Sequence, residues 1–376
     1  MWFSITKTRD DDPRIRSAEV QRAENAKVKQ EATILSVEVR LRERARCGTI
    51  CKYNASTTRR ATMAKKTQYP IHKDFKKWAK FNPPLGDGLR PIMQKAMSLL
   101  WAGERSNAQL TVEKKRIVSY DGATIRALWY CPKNAPANAP CLLYFHGGGF
   151  VIPAAPHHFA LTRQYARQAN CKALFVDYRL APKHKFPVAP EDCYAAYCWA
   201  VEHADELGID AHRIGVAGDS AGGQLATVVC MMARDRGQII PCCQMMLYPA
   251  AGNVDTESMR QFTDTPMCNS VDVEIYGKLY APEPIEGNLV YCSPIDAETL
   301  EGLPAAYVET AEFDCLRDGA VMYAERLEHS GVPTELHNTK GTIHGFDIVL
   351  MKSSIVRDCV DKRVAFLQRC FGTNNN

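Results

Sequence analysis

The spacing of hydrophobic residues changes twice along the chain. Up to about residue 66, apolar positions form no clean stripe. The stretch 17–46 is rich in Ala, Glu, Gln, Lys and Arg, which favour helix, but such a helix would have little to pack against. From Tyr69 to about Gly103 the spacing turns helical. Phe75, Trp78 and Phe81 recur every three residues, and 91–101 carries Ile92, Met93, Ala96, Met97, Leu99, Leu100 and Trp101. Pro83, Pro84 and Gly86 separate the two runs, which predicts two short amphipathic helices. These are expected either to roof a pocket, through Phe75, Trp78, Met93 and Met97, or to cover a core edge.

Beyond residue 110 the pattern becomes that of strands. The runs 111–120 and 124–131 flank Asp121-Gly122, a hairpin signal. Short apolar runs follow at 141–145, 173–177, 214–217, 243–248 and 305–309, with a weaker one at 334–338. Helical patterns lie between or after them, at 159–169, 189–207, 221–236, 319–330 and 355–370. A hairpin followed by alternating strands and helices predicts an α/β fold: a mainly parallel, eight-stranded sheet covered by helices on both faces. The segment 256–284 interrupts this order without strand character and reads as a second part of a lid. The expected organisation is thus a basic extension over 1–66, N-terminal cap helices over 67–110, and a body over 111–376 with a cap insertion near 256–284.

Composition narrows the picture. Apolar residues make up 46% and charged residues 24% of the 376, so a globular core is expected and overall disorder is excluded. The net charge of +5 is uneven: residues 1–66 hold 16 Lys/Arg against 8 Asp/Glu, and the remainder is slightly acidic. A nucleic-acid partner would need a concentrated basic face on the folded part, so none is expected. Met63, followed by Ala64-Lys65-Lys66, offers an alternative start that would make 1–62 dispensable. The 15 cysteines are scattered, with no Cys-x-x-Cys pair. Neither a secretory pattern nor an apolar run of membrane-spanning length occurs, so the sequence reads as a cytoplasmic protein with reduced thiols and no stable membrane insertion. A homodimer is compatible with it.

The candidate chemistry sits at strand ends. Gly218-Asp219-Ser220-Ala221-Gly222 follows an apolar strand and opens an apolar helix. A serine on such a turn stands exposed above the sheet, beside free N–H groups and the positive end of the helix dipole. His146-Gly147-Gly148-Gly149-Phe150 follows the run 141–145. Its glycines let the backbone approach a ligand closely and, with the Ala221 N–H, can hold an oxyanion. A phosphate cradle is the rival reading, but the Lys-Ser/Thr ending of a P-loop is missing. His146 is expected to be structural, because this turn presents backbone to a substrate. A serine nucleophile needs a base and an orienter, which in this architecture follow it in the order acid, then histidine. Asp314 and His344 stand after the last two strand runs, with Asp318 and Glu312 as rival orienters. His157, His158 and His203 fall in or beside helices and are expected to be solvated or capping residues. No cluster has metal-ligand spacing, so no metal or cofactor is expected.

Taken together, these motifs resemble the hormone-sensitive-lipase-like group of α/β-hydrolases, also called bacterial family IV esterases. The resemblance covers roughly 69–370. It also includes Asp177-Tyr178-Arg179-Leu180-Ala181-Pro182, Phe186-Pro187, Glu191-Asp192, Asp314-Cys315-Leu316-Arg317-Asp318 and His344-Gly345-Phe346. It implies Ser220 as nucleophile, Asp314 as triad acid and His344 as base. Gly147, Gly148 and Ala221 are the implied oxyanion donors, and a helical cap is implied above the sheet. Phe150, Asp219 and Phe346, within these motifs, are candidates to contact substrate. Lys183 stands where the family usually has glutamate, and Cys315 where it usually has proline. The implied function is a serine carboxylesterase acting on small esters with short-to-medium acyl groups. Amide, formyl or acetylated-sugar hydrolysis would use the same machinery. A non-catalytic receptor on this fold, by contrast, would lack the histidine that stands here at 344.

Overall fold

The computed structural model describes residues 69–78, 101, 103–281, 289–349 and 352–373, all within one compact unit, Lys66–Asn376. The extension 1–66 and most of the segment expected to form N-terminal cap helices lie outside the described residues.

Eight strands form one sheet: β1 Leu110–Val118, β2 Thr124–Pro132, β3 Ala139–Phe145, β4 Lys172–Asp177, β5 Ile209–Asp219, β6 Gln244–Leu247, β7 Ala306–Phe313 and β8 Thr334–Ile343. Their order is β1-β2-β4-β3-β5-β6-β7-β8. β2 pairs antiparallel with β1 and β4, and every other pairing is parallel. The hairpin turns where Asp121-Gly122 predicts it. Gly122 has φ +80° and its N–H reaches the Ser119 carbonyl, while the Asp121 carboxylate accepts from the Ala123 N–H.

Successive strand residues face opposite sides, and the core divides accordingly. On β3, Cys141, Leu143 and Phe145 join one apolar cluster, while Leu142 and Tyr144 join the other. The first cluster is packed by helices over Val188–Glu202, Ala221–Asp235 and Arg317–His329. The second is packed by those over Pro156–Gln168 and Ser354–Phe371. In chain order, the longer helices are α1 Pro156–Gln168, α2 Val188–Glu202, α3 Ala221–Asp235, α4 Glu257–Gln261, α5 Ser270–Tyr280, α6 Arg317–His329 and α7 Ser354–Phe371. A sheet buried on both sides explains why its strands read as continuous apolar runs.

The chain leaves β3 for β4 on one side and returns past β3 to β5. Such a reversal of winding opens a crevice at the carboxyl ends of the neighbouring strands, where α/β sheets bind ligands. The glycine loop after β3 and the Ser220 turn after β5 both stand at this crevice. The insertion after β6 is helical, comprising α4 and α5. The Phe75 run is a 3-10 helix over Lys73–Trp78, and its continuation to Phe81 lies outside the described residues. Phe75 itself is fully buried in the second cluster, edge-on to Phe346 at 6.2 Å, so it roofs no pocket. Met93, Met97 and the Trp78 side chain lie outside the described residues. No helix among the described residues is long and apolar enough to cross a membrane.

Candidate active site

Ser220 joins β5 to α3 with φ +53° and ψ −120°, a strained conformation for a residue with a side chain. Its N–H donates to the Leu247 carbonyl at 2.8 Å. Gly222 makes the turn possible: a Cβ there would stand 2.0 Å from the Phe145 carbonyl oxygen. Gly222→Ala is therefore expected to force the turn off β3 at a cost of about 1–3 kcal/mol or more, with turnover falling at least ~10-fold. Thermal melting and esterase assay check this.

His344 follows β8, and its Nε2 lies 2.9 Å from Ser220 Oγ. Its Nδ1 lies 2.7 Å from Asp314 Oδ2. Asp314 follows β7 and is fully buried; its other oxygen accepts from the Leu316 N–H at 2.9 Å. Burial alone would push His344 down, but the Asp314 carboxylate, aided by the nearby Cys268 and Asp219, outweighs it and raises the imidazole to about 9. The rival carboxylates are engaged elsewhere. Glu312 accepts from the Gly341 N–H at 2.7 Å and Lys340 at 3.2 Å. Asp318 accepts from the Ser258 N–H and Arg317, both at 2.7 Å, and so ties α4 to the start of α6.

The glycine loop is held by Asp219. Asp219 Oδ1 accepts from the Gly147 N–H at 3.0 Å and the Tyr144 hydroxyl at 2.9 Å, and Oδ2 lies 3.2 Å from His158 Nε2. Burial would raise this carboxyl, but His158 holds it below the ordinary range. Gly147 is therefore a correction to the expected oxyanion set, because its N–H is already bonded. The N–H groups of Gly148 and Gly149 find no acceptor among the described residues. Ala221, at the first turn of α3, carries one of the N–H groups a helix leaves unpaired.

Asp219 borders the cavity above Ser220, but its carboxylate is committed to this scaffold. Phe150 also borders the cavity; it has φ +62° and stacks on Tyr280 at 3.8 Å. Phe346 is a correction. It is fully buried in the second cluster against Phe75 and Tyr248, away from the cavity lining, because the chain turns inward after Gly345. His146 is structural in geometry. Its Nδ1 contacts the Gly147 carbonyl at 2.7 Å, its ring stacks on Tyr178 at 4.4 Å, and burial with the neighbouring His158 pushes it down to about 3.

Of the two roles expected for His158, solvated or capping, the buried ring takes the second. Its Nδ1 accepts the Ala155 N–H at 2.9 Å at the start of α1. One ligand atom each of His157, His158 and Asp219 lie within 4.8 Å of one another, a grouping that sequence spacing missed. The Ala155 bond leaves the His158 proton on Nε2, facing Asp219, so these two members are committed to each other, while the buried Nε2 of His157 has no hydrogen-bond partner among the described residues.

The cavity measures about 1080 Å³. Gly147, Gly148, Ser220 and His344 lie at its base, and α5 supplies much of its wall through Val271, Glu274, Tyr276 and Tyr280. Tyr276 lies so close to Gly149 that a Cβ there would meet its ring at 2.4 Å. Tyr248, Tyr276 and His158 carried no recognisable motif. Their only sequence signal was an aromatic or histidine close to a strand end or within the lid segment.

A serine, histidine and carboxylate joined above the carboxyl ends of a mainly parallel sheet, beside a glycine loop, place the molecule among the α/β-hydrolases. Residues 142–348 match the profile of a family described as alpha/beta hydrolase fold. Esterase LipI of Mycobacterium tuberculosis is 40% identical over 221 residues, 58% of this chain and 69% of that protein. Human hormone-sensitive lipase is 33% identical over 184 residues, 49% of this chain but 17% of that larger protein. The crystal structure of esterase LipW from Mycobacterium marinum superposes with a TM-score of 0.74 at 28% identity, covering 80% of this chain and 96% of that one. The chain belongs to the hormone-sensitive-lipase-like esterases of this superfamily and is a carboxylic ester hydrolase.

Proposed function

We propose that this esterase hydrolyses small esters with short-to-medium acyl groups through Ser220, His344 and Asp314. The observation that carries the reading is the unbroken chain from Ser220 Oγ to His344 Nε2 at 2.9 Å and from His344 Nδ1 to Asp314 at 2.7 Å, at the base of a cavity. His344 takes the Ser220 proton as Oγ attacks the ester carbonyl. Asp314 keeps the Nδ1 proton in place and stabilises the imidazolium. Gly148, Gly149 and Ala221 donate to the developing oxyanion. His344 then protonates the departing alcohol, and water repeats the sequence on the acyl-enzyme.

The insertion 256–284 acts as the cap. Its α5 supplies much of the cavity wall, which limits the acyl length that fits. Each added methylene contributes about 0.8 kcal/mol while it fits and a clash once it does not. Nitrophenyl esters of rising chain length test this: kcat/KM is expected to peak at roughly two to eight carbons and fall beyond. Faster hydrolysis of emulsified long-chain lipid than of a soluble butyrate ester would overturn the substrate range. The many free thiols among the described residues, such as Cys131, Cys198 and Cys242, support a reducing, cytoplasmic setting.

A further inference from the structure

The sheet face covered by α1 and α7 holds a charged cluster that the hydrolytic reading does not use. Arg363 of α7, Glu309 of β7 and Asp347 are all fully buried. Arg363 Nε and Nη2 fork onto the Glu309 carboxylate at 3.0 and 2.5 Å. Its Nη1 donates to Asp347 Oδ2 at 2.6 Å and to the Tyr165 hydroxyl oxygen at 3.0 Å. Two carboxylates share one guanidinium, and two tyrosine hydroxyls complete the pairing. Tyr307 donates to Glu309 at 3.0 Å, and Tyr248 donates to Asp347 Oδ1 at 2.5 Å. A buried ion group of this kind adds little stability over well-packed apolar side chains, so its placement invites another role.

That placement is specific. Asp347 stands three residues after His344, in the short helix Phe346–Val349 that directly follows the His344 turn. Tyr248 directly follows β6, lines the cavity, and packs edgewise on the His344 ring with centroids 5.0 Å apart at 68°. Its backbone has φ +36°, and its N–H donates to the Glu309 carbonyl at 2.5 Å. Tyr248 is thus tied to the cluster at both ends, by its N–H and by its hydroxyl. The preceding Leu247 carbonyl accepts the Ser220 N–H, so one strand end touches both reacting partners. The ring's two hydrogen bonds, to Asp314 and Ser220, leave the imidazole free to turn about the line joining them, and a fixed aromatic wall removes this freedom.

We propose that Arg363, Asp347 and Tyr248 are positioning residues that fix the plane of His344 against Ser220. This inference rests on the Ser220–His344 reading above. Arg363 holds Asp347, Asp347 holds the Tyr248 hydroxyl and the loop carrying His344, and the Tyr248 ring sets the imidazole angle. Small displacements of a reacting group cost up to about 100-fold in rate, so a partial loosening has a measurable effect.

Tyr248→Phe keeps the ring and removes only its tether. It is expected to fold and to lower kcat about five- to twentyfold with KM within about twofold. The rate of phosphorylation by a small organophosphate should fall by the same factor, because that reaction needs His344 as base but not the ester pocket. Arg363→Lys keeps the charge without the fork and should also lower kcat. The double variant should be much less impaired than the product of the two effects, because both act through one relay. If Arg363→Lys does not fold, the Tyr248→Phe comparison decides alone. An unchanged kcat, a raised KM with intact kcat, or an organophosphate rate unaffected by Tyr248→Phe would overturn the relay while leaving the triad standing. Multiplicative effects in the double variant would do the same. Failure of the organophosphate to label wild type at Ser220 would overturn the triad, and the relay with it.

Discussion

Ser220→Ala should fold normally and lose turnover by roughly 10⁵-fold or more, the loss typical of removing a triad nucleophile. The fold should survive because Ser220 bonds its neighbours through its backbone, the N–H reaching Leu247 and the carbonyl accepting from Gln224 and Ala250. Among the described residues the side chain's one hydrogen-bond partner is His344. Substrate should still bind, since the cavity wall and the free N–H groups of Gly148 and Gly149 are untouched. The assay is steady-state turnover of a nitrophenyl butyrate with thermal melting alongside. A serine-directed organophosphate should add its mass to the Ser220 peptide of wild type and to nothing in the variant. Label on another serine, or near-normal turnover, would end the proposal that Ser220 is the nucleophile.

The sheet was legible because burial on both faces writes itself as short apolar runs, and the crossovers as helical ones. The run 141–145 became β3, 173–177 became β4, and 221–236 became α3, each within two residues at either end. The nucleophile turn was legible for a local reason: glycines at 218 and 222 are demanded by the backbone of β3 and of the turn itself, within five residues of sequence. What failed depended on contacts between distant residues. Three glycines in a row cannot reveal that the first N–H is spent on Asp219, 72 residues away. His344-Gly345-Phe346 does not say which way the chain turns after Gly345, and that direction decides whether Phe346 meets substrate or core. Arg363, in a helix that also carries Arg357, Lys362 and Arg369, looks like a solvated residue; its partners lie on β7 and just after the His344 turn. The His157–His158–Asp219 grouping was hidden in the same way, since Asp219 is more than sixty residues from either histidine.

The second large effect is expected at Asp314. Asp314→Asn preserves shape and can still accept the Leu316 N–H through its carbonyl oxygen, so the melting temperature should change little. Its amide N–H₂ would then face His344 Nδ1, a donor where the carboxylate was an acceptor. The ring must answer by placing its proton on Nε2, the atom that has to receive the proton from Ser220. Turnover is expected to fall by about 10⁴-fold for this reason. The pH dependence carries an independent sign. His344 works as a base only when deprotonated, so activity is lost as pH falls through its pKa. In the native protein the Asp314 carboxylate overrides burial and raises that pKa to about 9, so the acid limb of kcat/KM should lie above the 6.5 of free imidazole. Without the carboxylate, burial acts with far less opposition, and the limb of the residual activity should move to lower pH. Asp318→Asn should do neither, because that carboxylate bonds Ser258 and Arg317 and has no bond to His344. If Asp318→Asn proves the more damaging change, or if Asp314→Asn leaves the acid limb in place, the orienter has been assigned to the wrong carboxylate.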